Sequence, residues 1–192
     1  MASAEGLRAD LASGDAAKQS AALLDISRAL AAGRDAAPYI SAALATVLSN
    51  PMAAPEARRL AYDLALACPG LSDTDWVRLT AAVSQDVQRG AAAEVRVRAL
   101  EALPALPAHR LTALLADPAL VLGRVLASLR SNDDAVRAAA VVAVAGLAER
   151  REVAAAAAGN AGLLGALIDL WEALPDVLTG AGRMQREGPA IE

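Results

Sequence analysis

Catalysis needs a nucleophile, an acid or base, or a metal, and this chain is short of all three. His109 is its only histidine and Cys68 its only cysteine. A histidine-rich metal site is therefore excluded, and a thiol–imidazole pair would have to be Cys68 with His109. Cys68 precedes Pro69-Gly70 at a helix end, and an isolated free cysteine is ordinarily a small buried hydrophobe. His109 follows Pro107-Ala108, where a surface or capping role accounts for it. Asp73 with Asp75, and Asp133 with Asp134, are spaced for acid–base work. Both pairs fall at expected helix starts, where capping explains them. Gly159, Gly162 and Gly165 form a G-x-x-G-x-x-G run without a preceding strand, so they read as a loop and a close helix contact, not a nucleotide cradle. No catalytic, cofactor-binding or metal-ligating residue is assigned.

The remaining chemistry is charge. Arg58-Arg59, Arg96 with Arg98, and Arg150-Arg151 could form a basic patch for anionic lipid. Glu56, Glu94, Glu149 and Glu152 stand close by, and internally neutralised faces are the better reading. The net charge of −4 supplies no broad cationic field for nucleic acid. Trp76 and Trp171 are expected in the core or at an end of the packing.

The elements that must hold these residues are helices. Hydrophobic residues make up 56% of the chain but aromatics only 2%, and phenylalanine is absent. Nearly half of the apolar residues are alanines, which favour helices packed closely through small side chains. Alternating Val, Ile, Tyr and Thr, as strands require, do not occur. Helices are expected at about 4–12, 16–31, 36–48, 55–67, 73–88, 92–103, 108–115, 118–130, 133–149 and 162–173. Asp117-Pro118 reads as a cap followed by proline at the first helical position, and Ser72 with Asp75 and Ser131 with Asp134 resemble capping boxes. The longest apolar stretch, Ala138 to Ala148, is too short to span a membrane, and the N-terminus has no signal-peptide core. One cysteine precludes an internal disulfide and suits a reducing compartment.

A repeat underlies the alanines. Lys18, Arg58, Arg96 and Arg137 each have an alanine three residues later and an apolar residue three beyond that. They are 40, 38 and 41 residues apart, and Asp15, Glu56, Glu94 and Asp134 precede them by two or three. Acids suit helix starts, and the apolar spacing makes one buried stripe. The period predicts an all-α chain, an α-solenoid of HEAT/armadillo-type antiparallel helix pairs over 1–174. A flexible tail is expected over 175–192, where Pro175, Gly180, Gly182, Gly188 and Pro189 interrupt the pattern. The helix Leu163 to Trp171 is too apolar for a polar end cap, so the chain reads as the first portion of a longer array.

Beyond the period, particular segments carry a resemblance. Asp10-Leu11-Ala12-Ser13-Gly14-Asp15, Gln19 to Leu24 and Ala31-Ala32-Gly33-Arg34-Asp35 are followed in order by Arg59 to Leu64, Asp73-Thr74-Asp75-Trp76 and Ala102-Leu103-Pro104-Ala105. Leu129 to Asp133, Asn160-Ala161-Gly162-Leu163-Leu164 and Trp171 complete the series. Together they resemble the N-terminal part of the TPLATE family, the β-adaptin-like large subunits of a plant endocytic adaptor complex, over about 5–172. The resemblance implies a cytoplasmic scaffold recruited to the plasma membrane, coated pits or cell plate. Its partners would be other adaptor subunits and the clathrin machinery, with possible peripheral contact with anionic lipid. It implies no catalytic residue, cofactor, nucleic acid or small-molecule substrate. A generic HEAT/armadillo interaction module is the alternative. A HEAT-like glycosylase is disfavoured by the acidic charge and scarce aromatics.

Overall fold

A computed structural model of the chain describes residues 4–88 and 91–179. Among these residues it is all-helical, with α1 at Ala4–Ala12, α2 at Ala16–Ala31, α3 at Ala37–Ala43, α4 at Pro55–Ala67 and α5 at Asp73–Asp86. They are followed by α6 at Ala93–Ala102, α7 at Ala108–Leu114, α8 at Pro118–Leu129, α9 at Asp134–Ala148, α10 at Arg151–Ala158 and α11 at Ala161–Thr179. A π-helical turn, Leu44–Leu48, extends α3, and a 3-10 turn, Leu103–Ala105, follows α6 at Pro104.

Local chemistry sets most of the ends. Asp15 caps α2 by accepting from the amides of Ala17 and Lys18, and Ser72 caps α5 through the Asp75 amide. Asp117 caps α8 ahead of Pro118. At α9 the cap is Asp133, which accepts from Ala135 and Val136. Ser131, expected to form a capping box with Asp134, instead accepts from the Asp133 amide. The end of α2 is fixed by Gly33, at φ +69°, where a side chain would be strained. Its amide bonds to Leu30 O and that of Arg34 to Ala29 O, the paired bonds of a Schellman termination.

Helices α2, α4, α6 and α9 pack in a row, each on the next. Four others lie alongside, α1 on α2, α3 with its π turn on α4, α5 on α6, and α8 on α9, and α11 packs on α8. The core is almost wholly Ala, Leu and Val, with Tyr62 as its one large aromatic. Small side chains permit close approach, and Gly146 of α9 shows the limit. A Cβ there would stand 2.8 Å from Pro104 Cβ.

The forty-residue cadence is present with one correction. Arg58, Arg96 and Arg137 are each the fourth residue of their helix, and Ala61, Ala99 and Ala140 are buried three residues on. In α2 the fourth residue is Gln19, not Lys18. Gln19 is buried, whereas Lys18, Ala21 and Leu24 are exposed. Charge drew the sequence reading to Lys18, but burial selects its neighbour.

Two further expectations change. Residues 151–158 form a helix of their own, burying Val153 and Ala157 one turn apart. The alanine run there has too little apolar contrast to announce a period. The last helix continues through Pro175 to Thr179, beyond the expected boundary at 174, and 180–192 of the expected tail lie outside the described residues. None of the described helices is long and apolar enough to cross a membrane.

Candidate functional site

Three of the four fourth-residue positions share one task. Gln19 Nε2 donates to Leu11 O at the end of α1, at 3.0 Å. Arg58 Nη1 donates to the carbonyls of Val47, Leu48 and Asn50 at the end of the π turn. Arg137 donates to Ser131 O after α8, at 2.6 Å. A helix leaves its last carbonyls without amide partners, and a long donor in the first turn of the following helix supplies them. Arg96 stands at the same position with a buried Nε that has no hydrogen-bond partner.

At Arg58 the device is fully buried. Its Nη2 meets Asp86 Oδ2 at the end of α5, at 2.5 Å, and Tyr62 Oη donates to the same oxygen at 2.8 Å. Burial first, and then the Asp86 charge, push the Tyr62 phenol well above its ordinary value and keep it a donor. The group ties α3, α4 and α5 together. Arg58 therefore lies out of reach of a lipid surface. The acid that meets it is Asp86, not the Glu56 suggested by proximity in sequence.

Other singled-out residues serve structure. Asp75 is buried and accepts from Ser41 of α3 and Ser72, with Arg78 at 3.2 Å. Burial alone would raise its carboxyl, but the two hydroxyls and Arg78 hold it below the usual range. Asp73 is gripped by Arg110 at 2.7 and 2.8 Å and lies 3.7 Å from His109 Nε2 on an exposed corner. That histidine's acid is already taken up by an arginine, so the arrangement lacks the form of a relay to a nucleophile. Cys68 packs against the core at the end of α4. Arg59 and Arg98 converge on Asp63. Arg150 reaches Pro104 O and Leu106 O while pairing with Glu152. Trp76 is half-buried against the core, whereas Trp171, on the last described helix, is 66% exposed and so lies outside the core. No cluster of three or more metal-ligating side chains occurs among the described residues.

A cleft of about 430 Å³ lies between α8 and α11. Leu122 and Leu126 line one side, Gly165 and Ala166 the other, and Asp117 and Asp169 also border it. Sequence reasoning singled out Gly162 and Gly165 for close helix contact. A Cβ on Gly162 would meet Asn160 Oδ1 at 3.3 Å, but one on Gly165 would meet nothing within 4 Å. Gly123 and Asp169 carried no signal in the sequence; only the pairing of α8 with α11 brings them together.

No protein-family model matches the chain, and neither the curated proteins nor the solved structures contain a match.

Proposed function

We propose that this chain is a non-catalytic scaffold: an α-solenoid of HEAT/armadillo-type hairpins forming the N-terminal part of a TPLATE-type large subunit in an endocytic adaptor complex. The observation that carries the reading is the row of α2, α4, α6 and α9, with a polar residue at the same helical position in each. Stacked hairpins give an extended surface for other proteins. The choice of an adaptor subunit among such scaffolds rests on the ordered sequence resemblance over about 5–172. Several of its segments sit at structural junctions. Ala31 to Asp35 forms the termination of α2, Asp73 to Trp76 opens α5 with the buried Asp75, and Asn160 to Leu164 opens α11. The buried Arg58–Asp86–Tyr62 group, Asp73 and Asp75 hold helices together and Asp133 caps α9, in keeping with a role performed through contacts.

The reading places the protein in the cytoplasm, recruited peripherally to the plasma membrane, coated pits or cell plate by companion subunits. Affinity purification of the full chain from native plant or algal cytosol is expected to co-recover adaptor subunits and clathrin in stoichiometric amounts. Recovery of transport cargo or a phosphatase instead would identify a generic helical-repeat module, and a folded chain that recovers no coat component would refute the adaptor assignment.

A further inference from the structure

We propose that the cleft between α8 and α11 is a docking groove for a cationic amphipathic helix of another protein. The inference deepens the scaffold reading and rests on it. Its first support is a pair of glycines. Gly123 and Gly165 lie inside α8 and α11, where glycine costs about 1 kcal/mol relative to alanine. Neither has a positive φ. A Cβ at either would meet nothing within 4 Å. Backbone geometry and internal packing therefore leave both glycines unexplained, in a chain whose commonest residue is alanine. Gly146, by contrast, is demanded by Pro104. What Gly123 and Gly165 share is the wall of one cleft, and missing side chains there let a second backbone come close, as in helix-in-groove recognition.

The second support is charge. Asp117 and Asp169 border the groove, and none of its lining residues is basic. The one arginine inside α8, Arg124, is turned away to Ser84 O of α5, at 2.6 Å. Helix α11 contains no lysine or arginine, and Glu172 is exposed a turn beyond Asp169. An apolar floor with an acidic rim complements a helix whose apolar stripe is flanked by Arg or Lys. A second copy of this chain fits poorly, because α11 against α11 would bring Asp169 and Glu172 onto like charges.

The test uses the full chain and a fluorescent 14-residue peptide with Leu and Ala on one helical face and Arg on both flanks, followed by anisotropy. A twin peptide carries Glu in place of Arg. The Arg peptide is expected to bind at least 100-fold more tightly than its twin. Asp117→Asn with Asp169→Asn, which keeps a capping side chain at 117, should weaken it at least tenfold. Gly165→Leu should abolish binding without lowering the unfolding midpoint. Equal binding of the two peptides, or binding unchanged by Gly165→Leu, would overturn the proposal. So would a concentration-dependent dimer abolished by Gly165→Leu, since the occupant would then be a second copy. Peptide binding without recovery of coat subunits would count against the adaptor assignment alone. Recovery of coat subunits with no groove-dependent peptide binding would count against the groove alone.

Discussion

Arg58 is the residue on which local stability turns. Its guanidinium joins three main-chain carbonyls to Asp86 in the interior, with the side chains of the ion pair only 4% and 7% exposed. Removing one member of such a pair strands the other charge, at a cost of about 3–5 kcal/mol. Arg58→Ala and Asp86→Ala should each lose that much in urea unfolding, and the double variant Arg58→Met/Asp86→Leu should lose less than their sum. Additive losses would mean that the two side chains act independently. Asp75 gives the corresponding pH behaviour. Its carboxyl is held below the ordinary range, so the folded state binds its proton less readily than the unfolded chain. The stabilisation is complete above the unfolded carboxylate value of about 3.9 and disappears as pH falls through the depressed folded value. Asp75→Asn should lower stability at neutral pH and flatten the acid limb below about pH 4, read from unfolding midpoints across pH. An unchanged acid limb would exclude Asp75 as its source.

At the scale of elements, the same substitution should have opposite signs at two glycines. Gly146→Ala gains helix propensity but drives a Cβ into Pro104, and overpacking of this kind costs about 1–3 kcal/mol. Gly165→Ala meets open space and should gain up to about 1 kcal/mol. Thermal melts of the two variants read the contrast directly, and equal shifts would contradict the packing described for α9 against the 3-10 turn that follows α6. Such differences also mark what sequence could and could not disclose. Helix starts were legible at Asp15, Ser72 and Asp117 because a cap needs only neighbouring residues. The separate helix at Arg151–Ala158 was not, because an alanine run has no apolar period to read. Charge makes Lys18 the conspicuous residue of its segment, whereas the burial of Gln19 depends on α1 lying across α2. The cleft was illegible for the same reason: its walls are some forty residues apart in the chain.

Across the whole molecule the claim is geometric. A cadence of about forty residues records four helices, α2, α4, α6 and α9, set side by side, and the scaffold reading depends on that order. Neighbouring helices pack 8–10 Å apart, so the first and last of the row should be separated by roughly 25–30 Å, three such steps. In a compact bundle that brought α2 against α9, the separation would be a single step. Lys18 and Ala138 are exposed near the N-terminal ends of these two helices. The decisive measurement is the electron–electron dipolar distance between spin labels at Lys18→Cys and Ala138→Cys, with Cys68→Ala to remove the native thiol. A single distribution centred near 25–30 Å is predicted, and one centred below about 15 Å would contradict the row and the function built on it.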